Sequence, residues 1–117
     1  KKDLFSRNNT IIKQNQYVRS FLQSKNEKNS LIIYFQAAQH IAYNQAAISF
    51  DTANQFRDQI LKDYKEGVYT HIYVIQKIPY ATLKSDRWNT TDPSYNLKKI
   101  VDEPMDSAYF LRISQVI

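Results

Sequence analysis

No cysteine occurs among the 117 residues, which removes disulfide frameworks, thiolate metal sites and thiol nucleophiles together. The compartment stays open, because a cysteine-free chain suits reducing and oxidising surroundings equally. Glycine occurs once, at Gly67. Phosphate-cradling loops need several glycines for the backbone to approach the anion, so nucleotide binding by those motifs is excluded. Histidine occurs twice, and His40 and His71 lack the i, i+4 placement of a helical metal pair. Each is expected to be a structural histidine with one hydrogen-bond partner. With these ingredients missing, no cofactor, no metal and no catalytic residue is expected, and the chain reads as a non-enzyme. It starts at Lys1 rather than Met, which fits a processed form or a cut from a longer chain bearing a signal or anchor.

What is present is a folded composition. Hydrophobic residues make up 43%, with nine Tyr, six Phe and Trp88, far from the polar, aromatic-poor make-up of disorder. The length suits a single domain over residues 1–117, with 1–9 a basic polar lead. The net charge of +5 is uneven: residues 1–30 hold seven Lys and Arg against Asp3 and Glu27, which equals the whole excess. Such asymmetry points to a polyanionic partner or an acidic membrane surface, although a solvated, solubilising segment accounts for it equally well.

Along the chain, Thr10 is placed to cap a first helix over "IIKQNQYVRSFLQ", where Ile11, Val18, Phe21 and Leu22 recur near helical spacing. Residues 30–50, "SLIIYFQAAQHIAYNQAAISF", carry no Asp, Glu, Lys or Arg. Gln36, Gln39, His40, Asn44 and Gln45 make the stretch too polar to span a bilayer. Capped by Ser30, it reads as a buried central helix with Leu31, Tyr34, Phe35, Ala38, Ile41, Ala42 and Ile48 on one stripe, although the opening "LIIYF" suits a strand as well. A third helix follows in "FDTANQFRDQILKDYKEG". Asp51 or Thr52 is its expected cap, Gly67 its stop, and Ala53, Phe56, Ile60, Leu61 and Tyr64 its packed face.

Beyond Gly67 the texture is that of strands. "VYTHIYVIQKI" sets Ile72, Val74 and Ile78 on one face and Tyr69, His71, Tyr73 and Ile75 on the other, up to Pro79. "AYFLRISQVI" alternates, with Tyr109, Leu111, Ile113 and Ile117 inward and Arg112 and Ser114 outward. Between them "YATLK" fits a short strand, and "SYNLKKIVDE" fits either a helical turn or a strand. Helices followed by strands give an α+β fold in which N-terminal helices pack against a C-terminal antiparallel sheet. That element order loosely resembles the cystatin-like and nuclear-transport-factor-like folds, including the periplasmic assembly domains of type IV secretion systems. The resemblance is of element order alone and carries no functional residue with it.

Few residues point to chemistry. Asp63 and Lys65 form an Asp-x-Lys on a helix rather than on the strand where metal-dependent nucleases set it, so a solvated helix face is expected. Asp102, Glu103 and Asp106 around Pro104 read as an exposed acidic turn. Asn8 and Asn89 open Asn-x-Thr triplets of a kind that chance produces readily in such a chain. The mixture of rings and cations used on nucleic acid appears in Lys13, Tyr17, Arg19, Lys25 and Lys28, and again in Tyr80, Lys84, Arg87 and Trp88. These nine are the candidate binding residues. The expected function is a protein-protein interaction or assembly module within a larger complex, membrane-associated or not, contacting a protein partner or a second copy through a Tyr-rich surface and a sheet edge. The alternative is a nucleic-acid-binding accessory protein with residues 1–28 as a phosphate-contacting arm.

Overall fold

A computed structural model describes residues 2–41, 45–81 and 89–117, with the backbone alone for 2–9, 38 and 39. The described residues run in the order α1 (Lys2–Lys25), β1 (Ser30–Ile33), α2 (Ala38–Ile41), β2 (Ala46–Ile48), α3 (Phe50–Gln55), α4 (Arg57–Lys65), β3 (His71–Pro79), β4 (Leu97–Pro104) and β5 (Tyr109–Val116). The five strands form one mixed sheet in the order β2-β1-β3-β5-β4, and the class is α+β as the sequence indicates. β3, β5 and β4 make the expected antiparallel part. To it the chain adds β1 and β2, both parallel to β3. The strands therefore do not all follow the helices, because β1 and β2 come before α3 and α4.

The first helix is longer than its periodic core. Residues 2–9 contain neither Gly nor Pro, so the helix continues through them, and Thr10 lies within it instead of capping it. The lead is thus part of α1. The helix ends where Asn26 takes the left-handed conformation at φ +53°, which Asn tolerates better than most side chains. Val18 is fully buried, with Tyr17, Phe21 and Leu22 packed beside it on Ile32, Tyr34, Tyr73, Ile75, Leu111 and Ile113.

The charge-free stretch is not a central helix. It forms β1, the one-turn helix α2 and β2. All four β1 residues are buried, since parallel neighbours flank the strand and helices cover both of its faces. A strand so enclosed reads as a continuous apolar run rather than an alternating one. Ile41, which a buried stripe would need inside, is more than half exposed. The connection over 34–45 supplies the dozen residues that a parallel crossover requires.

The third helix is two. Ser49 is its cap, its Oγ accepting from the Thr52 N–H at 3.2 Å, two positions before Asp51 and three before Thr52. The backbone breaks at Phe56 (φ −108°, ψ 27°), and the break leaves the Phe56 ring half exposed, while Ala53 and Ile60 stay buried and Leu61 and Tyr64 pack beside them. Gly67 stops the segment at φ +86°. α3 and α4 cover the sheet face opposite α1, burying Leu31, Ile33, Ile72 and Val74. The expected opposition of Ile72 and Val74 to Tyr73 and Ile75 therefore holds, although both faces are interior, but Tyr69, before the strand begins, packs with Ile72 and Val74 instead of on the Tyr73 face. Double coverage also buries Ser114, expected outward, and Ile117 lies exposed past the end of β5 while Val116 takes the inner place. The ambiguous 94–103 segment yields β4, bent by an irregularity between Lys99 and Val101. No strand covers Tyr80 and Ala81, and the rest of "YATLK" lies outside the described residues.

Candidate functional site

In the parallel part of the sheet, β1 is joined onward to β2 on one side and has β3 on its other side. A crevice opens where such connections diverge, outside the carboxyl ends of the strands, and ligands of open sheets gather there. β1 stops at Ile33, whereas β3 runs on to Pro79, which leaves one edge of β3 beyond Val74 without a strand. The Asn89 amide fills that edge, accepting from the Lys77 N–H at 2.8 Å and donating to the Lys77 carbonyl. So committed and almost buried, Asn89 is not an exposed acceptor for glycosylation.

On the α1 side of this end lies a cavity of about 420 Å³. Thr10, Ile11 and Gln14 of α1 form one wall, Phe35 and Gln36 after β1 another, Lys77 and Pro79 of β3 a third, and the β4–β5 turn closes it with Asp106, Ala108 and Tyr109. Lys13 fastens the helix to the turn, its Nζ donating to the Met105 carbonyl at 3.0 Å.

Beneath the cavity runs a buried polar layer. The Tyr109 hydroxyl donates to Gln14 Oε1 at 2.6 Å, and the Tyr34 hydroxyl donates to Asn15 Oδ1 at 2.9 Å. Burial pushes the Tyr109 hydroxyl up to about 12, with the Asp106 charge adding to it. Burial drives Tyr34 higher, partly opposed by the Gln14 amide beside it. Both hydroxyls stay protonated donors through the neutral range. Gln14 is 1% exposed, yet its Nε2 has no well-formed hydrogen bond. At the rim, the Lys77 ammonium sits 4.6 Å from the centre of the Tyr109 ring, within cation-π range. Asp106 Oδ1 accepts from the Ala108 and Tyr109 N–H groups and shapes the turn.

The six candidate binding residues that are described do not meet in one place. Lys13 and Tyr17 lie along α1, Lys13 tied to Met105 and Tyr17 half-buried against the core. Arg19 is half-buried on the same helix. Lys25 lies over the Phe21 ring and Lys28 is exposed, both at the amino end of β1. Tyr80, more than half exposed, packs on Phe110 at the far end of β3. Lys84, Arg87 and Trp88 lie outside the described residues. The Tyr-rich surface is also corrected: Tyr34, Tyr73, Tyr95 and Tyr109 are buried, and among the described tyrosines Tyr80 alone is classed as exposed.

Other polar groups are engaged locally. Glu27 accepts from the Tyr73 hydroxyl at 2.6 Å and faces His71 Nδ1 at 2.6 Å. His40 is buried beside Tyr34, and burial followed by the Arg19 charge lowers its pKa. Asp102 and Glu103 lie half-buried on β4 rather than in an exposed acidic turn, and Asp102 receives both Arg112 Nε and Nη2, which partly neutralises it. Asp63 accepts from Gln59 on the exposed surface of α4. A second, more polar hollow by α3 and α4 is crossed by contacts of Arg57 with Asp92 and Ser94. Among the described residues no group of three or more His, Asp or Glu is placed to hold a metal ion, and no helix is long and apolar enough to cross a membrane.

The cavity residues Gln14, Phe35, Lys77 and Tyr109 were not legible as a site in sequence. One signal was available: "QNQ" at 14–16 sets amides between Ile11 and Val18, in the middle of a face that periodicity assigns to the core. Comparisons with family models, curated proteins and solved structures find no match for the chain. The roles of these residues therefore rest on their geometry.

Proposed function

We propose that the chain is a non-catalytic protein-interaction module of a larger assembly, and that it receives a protein partner, or a second copy, at the carboxyl ends of β1 and β3. The cavity carries this reading. Its apolar walls, Ile11, Phe35, Pro79 and Ala108, lie within a polar rim of Gln36, Lys77 and Asp106, the pattern of an interface centre and its surround. The sheet edges are poorer seats for a partner. β2 is three residues long, and β4 carries Lys98, Lys99 and Pro104, features that discourage edge pairing.

A second reading, nucleic-acid binding, is favoured by one observation: the basic segment is a single helix and its following turn, ending in the surface cations Lys25 and Lys28. Removing residues 1–28 would not test it, because that deletion takes Val18 and Gln14 out of the core. The suitable experiment compares the full chain with Lys25→Gln/Lys28→Gln by anisotropy on labelled single- and double-stranded DNA and RNA across a salt series, beside sedimentation of the chain alone and with co-purified protein. The module reading expects no nucleic-acid affinity near physiological salt, together with association. Affinity that falls steeply with salt and drops in the double variant would replace it with the second reading. An acidic membrane surface as partner would instead appear as binding to anionic vesicles that is lost in the same variant.

A further inference from the structure

We propose that the connection between β1 and β2 is an acid-opened latch, in which protonation of His40 releases α2 and β2 from the sheet edge while β1, β3, β5 and β4 stay folded.

The latch is held at few points. β2 is three residues long and forms one edge of the sheet, paired to β1. The Tyr34 N–H donates to the Ile48 carbonyl at 3.0 Å, the Gln45 N–H donates to the His40 carbonyl at 3.3 Å, and the Gln45 side chain donates to the Ser30 and Ala46 carbonyls. α2 is a single turn, and the His40 ring is 1% exposed, its centre 5.4 Å from that of Tyr34. So short an edge opens at a lower free energy than the doubly covered strands behind it, because few bonds and little apolar surface are given up. Its release bares the β1 backbone over Leu31–Ile33 on the side where β2 lay.

His40 fits its place as a neutral ring and not as a cation. Its Nε2 is closed off and makes no hydrogen bond, and the imidazolium carries an N–H on both nitrogens, so the added charge is left without an acceptor at that atom. Among the described residues the ionisable groups facing the ring are the Arg19 guanidinium of α1 and the Tyr34 phenol, which burial keeps protonated. Neither supplies negative charge. The connection itself supplies none, since residues 30–50 contain no Asp or Glu. A carboxylate there would hold the imidazolium in place; without one, the proton is accommodated by moving the ring into water. Burial and then the Arg19 charge lower the His40 pKa, so the closed form takes up the proton less readily than the open one, and opening becomes easier as pH falls below about 6.5.

The test is native-state amide exchange on the full isotope-labelled chain at about pH 7 and about pH 5, with rates corrected for the intrinsic effect of pH and measured across low urea concentrations. The protection of the Tyr34 and Gln45 amides is expected to fall about tenfold between the two pH values, through an opening that low urea does not promote. The amides of the β3–β5 ladder should stay better protected at both, and exchange in step with urea as whole-molecule unfolding requires. His40→Phe should remove the pH difference at Tyr34 and Gln45, and His40→Gln, which keeps a polar side chain without a titrating group, should do the same if the Phe variant fails to fold. Protection at Tyr34 and Gln45 as strong and as urea-dependent as in the β3–β5 ladder overturns the latch, because the edge then opens only with the whole fold. A pH difference that persists in the folded variant overturns His40 as its trigger.

Discussion

Tyr34 carries a hydroxyl into the core to meet Asn15 of α1, while Tyr17, two residues on from Asn15, packs its ring half-buried and makes no such buried bond. Tyr34→Phe strands the Asn15 acceptor and is expected to cost about 1–3 kcal/mol in urea unfolding, whereas Tyr17→Phe should stay within about 0.5 kcal/mol of the parent. Titration offers a second test at this scale. His40 is buried, and its folded pKa lies below the ordinary 6.5, so the folded state resists the proton that the unfolded chain accepts. Stability from this residue is present above about pH 6.5 and is lost as pH falls toward the folded value. Chemical denaturation at about pH 7 and about pH 5 should show a decline that His40→Phe makes shallower. On the alkaline side the sign reverses. Tyr95 and Tyr109 are pushed by burial to about 12 from 10.0, so their contribution is complete below the unfolded value and is lost as pH rises through the folded one. The tyrosinate absorbance due to these two, read as the part lost in Tyr95→Phe and Tyr109→Phe, should accordingly rise together with unfolding and not before it. Equal pH slopes for parent and His40→Phe would count against the assignment of His40.

At the scale of elements, local chemistry was legible where it decided the outcome and hidden where layers decided it. Gly67 is left-handed as a helix-stopping glycine should be, and β3 and β5 show their alternation in sequence. The charge-free stretch misleads because a strand enclosed on both faces and a buried helix have the same apolar composition. Its β-branched residues Ile32 and Ile33 were the better guide, and the parallel neighbours that settle the matter lie far off in sequence. The break at Phe56 is hidden for a similar reason, since Arg57 turns toward Asp92 and Ser94 across a long loop. Two substitutions examine these elements. Ser49→Ala removes the observed cap and should cost about 1 kcal/mol, while Asp51→Ala, one position into the helix, should cost less. Gly67→Ala meets no atom within 4 Å, so its expected cost of about 1 kcal/mol is backbone strain at φ +86° and nothing else. An unchanged urea midpoint for Ser49→Ala would show that the cap is not where the structure puts it.

For the molecule as a whole, one sheet covered by α1 on one face and by α3 and α4 on the other leaves its strand ends as the places where side chains from several elements can converge. Four segments far apart in sequence meet at the carboxyl ends of β1 and β3, which is why spacing within any one of them did not reveal the cavity. Lys13, Arg19, Lys25 and Lys28 follow another logic, spread along α1 and its end instead of gathered at that cavity. The most direct measurement is photo-cross-linking in cells that make the protein, with a photoreactive amino acid placed singly at Gln36, at Ala108 and, as the control, at Glu66, exposed beyond the end of α4 on the opposite sheet face. The account predicts the same protein adduct from positions 36 and 108 and none from 66. Adducts from 66 alone, or equal adducts from all three, would contradict it.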